Sequence, residues 1–149
     1  MNGNYIKSIK NNSDIEQIYK SLAEKYGERE DTIEKADHKK IKEIIERNGY
    51  ICHYDSKENF YKVILIDGVY KIGYNILLQY GFVKFMLHVF KDGKCIDGGP
   101  VGWLFRDEEG RPAYSMPGFS TYEELEEILI PMFEVIASFE AEKVFDQNE

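Results

Sequence analysis

The stretch FVKFMLHVF, residues 82–90, carries an apolar residue at every second position from Val83 to Val89. Val83, Phe85, Leu87 and Val89 are apolar, and Lys84 and His88 fall between them. A period of two puts the four apolar side chains on one face of a strand and the lysine and histidine on the other. One covered face backed by a half-solvated one is the habit of an antiparallel sheet. This segment is therefore predicted to be a central strand whose apolar face lies under a helix.

Outward from it, the same period recurs. YICHY (50–54) and FYKVILID (60–67) read as strands, and Asp67-Gly68 reads as a two-residue hairpin turn into VYKIGYNILL (69–78). Periodicity leaves Tyr74 to Gln79 open between strand and short helix. Asp92-Gly93 makes the next hairpin turn, and EEGRP at 108–112 another. A meander of about five to six strands results.

CIDGGPVGWLF, residues 95–105, is the return strand after Asp92-Gly93 and holds the only tryptophan. Proline lacks the ladder donor and glycine favours irregularities, so Gly98-Gly99-Pro100 predicts a bulged edge strand. Trp103 is then either re-aimed by the bulge or packed beneath the last helix. A phosphate-cradling loop is disfavoured: there is no GxGxxG, no Walker-type lysine and no expected helix start after the glycines.

Helical signals flank the sheet. Ser13 with Glu16 reads as a capping box opening a helix with Ile15, Ile18, Leu22 and Tyr26 inward, stopped by Gly27. A second helix is predicted from Thr32 or Asp37 to Arg47, with Ile41, Ile44 and Ile45 inward and Asn48-Gly49 as its stop. Ser120 with Glu123 predicts the start of a closing helix. Leu125, Ile128, Leu129, Met132, Phe133, Ile136 and Phe139 share one face there, with Glu123, Glu127 and Glu134 nearly opposite. Pro131 should kink or split it. Two N-terminal helices, an antiparallel meander and a C-terminal helix on the sheet make an α+β fold, read as one domain over 1–149.

Composition sets the class. Aromatic residues at 14% and hydrophobic residues at 43% suit an ordered core and not a disordered chain. Two cysteines give no disulfide framework and suit a reducing cytosol. No apolar signal core or membrane-length run appears, so a cytoplasmic location is expected. The net charge of −8 is uneven. Residues 107–149 hold twelve acids against Arg111 and Lys143, a balance of −10, whereas residues 1–106 hold fifteen acids and seventeen Lys/Arg, a balance of +2. That sign opposes a nucleic-acid footprint and suits a basic protein partner.

Motifs for chemistry are sparse. Cys52 and His53 are adjacent on a strand and point to opposite faces, and neither they nor His88 with Cys95 have zinc-ligand spacing. Cys95 and His88 could meet across a hairpin as nucleophile and base, with no third residue to orient the base. Ser115 lies in AYSMPG and not in a nucleophile elbow. No metal, cofactor or catalytic residue is expected.

The tryptophan after a GGP bulge, together with the closing segment PGFSTYEELEEIL (117–129) in a short, acidic, cysteine-poor α+β chain, resembles bacterial toxin-immunity proteins. These are the cytosolic antidotes of contact-dependent growth inhibition and other polymorphic toxin systems, and the likeness covers the layout of residues 50–140. It implies a non-enzymatic antitoxin function: binding a cognate toxin domain, often a basic nuclease, and occluding its active site. The acidic C-terminal third then supplies the candidate partner-binding residues. These are Asp97, Asp107, Glu108 and Glu109 around the bulged hairpin, Trp103 as an aromatic anchor, and Glu123 and Glu127 as an extension. Two other readings stand beside it: a small cytosolic enzyme or ligand-binding domain with a pocket between sheet and helices, and a regulatory or mobile-element protein that binds a host protein.

Overall fold

Ten consecutive residue pairs join β3 (Tyr70–Gln79) to β4 (Phe82–Lys91), from Tyr70 opposite Lys91 to Gln79 opposite Phe82. The computed structural model describes residues 4–147; the ends of the 1–149 domain read from the sequence lie outside the described residues. Tyr80 and Gly81 both hold positive φ, 55° and 85°, as the tightest hairpin turn requires. Asp92 and Gly93 do the same between β4 and β5 (Lys94–Pro100). With β1 (Cys52–Asp55) and β2 (Phe60–Asp67), the five strands form one antiparallel sheet in the order β1-β2-β3-β4-β5. Tyr74 to Gln79 is strand throughout.

The turn at Asp67-Gly68 differs from expectation. The strands are joined by Gly68 and Val69, one position later than expected, and the register shifts between Ile64 and Ile66, which leaves Leu65 as an extra residue.

Among the described residues six helices frame the sheet: α1 (Asn4–Asn11), α2 (Ile15–Tyr26), α3 (His38–Arg47), α4 (Val101–Leu104), α5 (Tyr122–Ala137) and α6 (Ala141–Asp146). Val83, Phe85, Leu87 and Val89 are buried in one core cluster with Ile9, Ile15, Ile45, Leu129 and Phe133 from the helices. The Tyr74 hydroxyl donates to the Met132 carbonyl at 3.0 Å, which seats α5 on β3. The other face of the sheet, with Lys62, Ile64, Leu77, Lys84 and Met86, is half-buried. The fold is α+β with the closing helix on the sheet.

α1 is an addition to the two expected N-terminal helices, and it alters the start of the next. The Ser13 hydroxyl donates to the Ile9 carbonyl at 2.5 Å, so it closes α1 and does not form a capping box with Glu16; α2 begins after Asp14. α3 begins after Asp37, whose carboxylate accepts from the Lys39 amide at 2.9 Å. The box at α5 lies one residue beyond Ser120 and Glu123. Thr121 accepts from the Glu124 amide at 3.1 Å, and Glu124 accepts from the Ser120 amide at 2.7 Å. Both frames fit the S/T-x-x-E spacing; this one also gives Glu124 to Arg29 at 2.7 Å. α5 runs unbroken through Pro131, and Phe139 is buried in the turn before α6.

Candidate functional site

β5 is the edge strand, and the chain leaves it through Pro100 into the single turn of α4. A helical turn does follow the glycines, contrary to the sequence reading. Val101 and Phe105 are both buried, and Phe105 packs on Tyr19 and Tyr114 at ring separations of 5.6 and 5.9 Å. Those two residues occupy the inward positions, so Trp103 between them faces out. It is 55% exposed, and the Arg106 guanidinium lies 5.0 Å from its ring centroid. Packing under the last helix is thereby excluded for Trp103.

Opposite Trp103 stands α1, presenting Ile6, Lys7 and Lys10, and between them a cleft of about 580 Å³ runs over Gly98, Gly99 and Pro100. Asp107 and Glu108 also line it. The Asp107 carboxylate is held by its own turn: one oxygen accepts from the Glu109 and Arg111 amides, both at 2.9 Å, and the other from Arg111 Nε at 3.2 Å. Arg111 also pairs with Glu109 at 2.8 Å. Lys7, Lys10 and Arg106 form no ion pair with any described residue. The lining thus carries three basic side chains against two acidic ones, where the sequence predicts an acidic surface.

Asp97 leaves the candidate surface. It is 2% exposed, with one oxygen accepting from the Ile6 amide at 3.0 Å and the other from the Gly98 amide at 2.9 Å. The bulge explains this. It falls at Ile96, before the glycines, because Val89 pairs with Asp97 and Phe90 with Cys95. One inserted residue turns Asp97 onto the core side with Val89, where it caps the first turn of α1. Gly98, Gly99 and Pro100 then pair regularly with His88, Leu87 and Met86.

Glu123 and Glu127 lie outside the cleft lining. Glu127 accepts from the Tyr26 hydroxyl and pairs with Lys25 at 3.4 Å, joining α5 to α2. Glu124 with Arg29 and Glu126 with Arg47, the latter at 2.6 Å, continue this seam toward α3. The uneven charge along the chain is thus partly cancelled in the fold. Glu123 is exposed and has no hydrogen-bond partner among the described residues.

The thiols and imidazoles are held apart. Cys52 is buried, and burial pushes its thiol up to about 11, while His53 beside it is exposed. His88 is not half-solvated as its position suggested. It is 7% exposed because its cross-strand neighbours are Gly73 and Gly98, which leave room for the ring against Phe90, 5.1 Å away. A Cβ at Gly73 would lie 2.2 Å from the Val63 carbonyl oxygen, so the position is closed to side chains. Neither ring nitrogen of His88 has a partner among the described residues, and burial with the nearby Lys62 charge lowers its pKa to about 4. Cys95 is exposed opposite Phe90 and donates to the Asp97 carbonyl at 3.4 Å. Among the described residues no three His, Cys, Asp or Glu side chains group to hold a metal ion, and no helix is long and apolar enough to cross a membrane.

The sequence reading missed Lys7, Lys10 and Arg106. The spacing of Ile6 and Ile9 with lysines between them carries a helical signal, but over only eight residues. No family model matches the chain, and neither the curated proteins nor the solved structures contain a match.

Proposed function

We propose that this chain is a cytoplasmic binding protein of the toxin-immunity kind, which docks on a cognate bacterial toxin domain and occludes its active site. The observation that supports this reading is Trp103, held outward by its buried neighbours, stacked by Arg106 and set on the wall of a cleft. A tryptophan and an arginine presented together are the side chains that most often carry the affinity of a protein interface. The space between sheet and helices is filled by Tyr74, Phe85, Ile128, Met132 and Phe133, which favours a surface function over an internal pocket. The net charge of −8 suits long-range attraction of a basic partner.

The test is stoichiometric co-purification from the native host, followed by expression of the captured partner in a second host. The reading expects the partner to arrest growth, and co-expression of this chain to restore it. A partner whose expression is harmless, or whose toxicity this chain does not relieve, would remove the immunity assignment.

A further inference from the structure

We infer that the cleft between α1 and Trp103 receives an extended segment of the partner protein that carries both carboxylates and apolar side chains. The inference rests on reading the chain as a binding protein, and it fixes the chemistry of what is bound. Three cations line the cleft, Lys7, Lys10 and Arg106, and none forms an ion pair with a described residue. Of the two acids in the lining, the Asp107 carboxylate is held by two backbone amides and by Arg111, which it shares with Glu109, and Glu108 forms no ion pair with a described residue. The lining thus carries three basic side chains against two acidic ones, on a chain whose net charge is −8.

The floor is apolar. Ile6 and Pro100, with Gly98 and Gly99 contributing no side chains, leave a trough beside the half-exposed indole. Such a trough accepts a leucine or phenylalanine side chain, while the lysines on its rim meet carboxylates. Strand addition along β5 is not the mode of binding. The Gly98 amide is already given to Asp97, and Pro100 has no amide to give. Recognition therefore rests on side chains and charge. A nucleic acid is the other polyanion to weigh. Its phosphate train would have to approach an acidic protein over many repeats, whereas a short acidic segment engages only the three cations.

The single tryptophan gives the cleft its own reporter, since all indole emission comes from Trp103. The probes are a blocked hexapeptide alternating glutamate and leucine, the same peptide with lysine for glutamate, and a short single-stranded oligothymidylate. The glutamate peptide should change Trp103 emission saturably, and K7E/K10E should weaken it at least tenfold. Gly99→Val should weaken it as well by filling the trough, since a Cβ there meets only Ile6 at 3.7 Å and leaves the strand intact. The lysine peptide should give no saturable change. A matching response to the lysine peptide, no response to the glutamate peptide, or an unaltered response in both variants overturns the inference. Tighter binding of the oligothymidylate assigns the cleft to nucleic acid and overturns it equally. The two readings fail separately. A toxin partner bound equally well by wild type and K7E/K10E sinks the cleft while immunity stands, and peptide binding without a toxin partner does the reverse.

Discussion

The Asp97 carboxylate accepts the backbone amide of Ile6 at 3.0 Å, across 91 positions of sequence. A buried acid on the edge strand thus caps the first turn of α1 and sets one wall of the cleft against the other. Removing the acceptor leaves the Ile6 and Gly98 amides without their partner. Asp97→Ala should cost about 1–3 kcal/mol in urea titration and loosen α1, with faster amide exchange at Ile6 and Ile9. An unchanged midpoint would mean that water replaces the carboxylate and that α1 is held by its apolar face alone.

Phe85 is 2% exposed and meets Tyr74 edge-to-face at 5.1 Å, beneath α5. Phe85→Ala should destabilise the fold by about 3–5 kcal/mol. A loss under about 1 kcal/mol would show that the core closes over the gap.

His88 gives stability a pH dependence of defined sign. Its pKa falls from 6.5 to about 4 on folding, so between these values the unfolded chain binds the proton and the folded chain resists it. The contribution is whole above pH 6.5 and is lost as pH falls toward 4. It amounts to about 3 kcal/mol over that window. Titrations of wild type and His88→Leu on both sides of the window isolate this effect from the carboxylates. The variant should show a shallower loss on acidification, and parallel curves would show the imidazole to be hydrated in the fold.

Trp103→Ala should leave stability within about 0.5 kcal/mol, because the ring is exposed, and raise the rate of partner dissociation. Charge reversal in the neighbouring turn separates its residues. Glu108→Lys changes only charge, whereas Asp107→Lys should also unravel the turn that its carboxylate holds, seen as lost protection of the Glu109 and Arg111 amides. Equal effects of the two on structure would show that Arg111 alone maintains the turn.

Much of the fold was legible because alternation and turn chemistry agree. Val83, Phe85, Leu87 and Val89 lie on the buried face as their spacing demands, and Asp92-Gly93 turns the chain where expected. The site was less legible, for reasons that reach beyond any local pattern. A bulge at Ile96 reverses which face Asp97 takes, and no composition rule places a bulge to the residue. His88 is buried by glycines on the neighbouring strands, distant in sequence from it. The surplus of C-terminal acids pointed to an acidic surface, yet Glu124, Glu126 and Glu127 meet bases from α2, α3 and the loop between them. Net charge per segment therefore overstated the acidity of the folded surface.

That seam also dictates an order of assembly. Four successive hairpins build the sheet from neighbours in sequence, so each strand pairing closes only a short loop. The partner of α2 and α3 comes much later: Arg29 waits 95 positions for Glu124, and Tyr26 waits 101 for Glu127. During synthesis the apolar stripes of the first helices leave the ribosome before α5 exists to cover them. The nascent chain passes through an interval in which Ile15, Leu22 and Ile45 are open to wrong contacts, and that interval ends when α5 seals the domain.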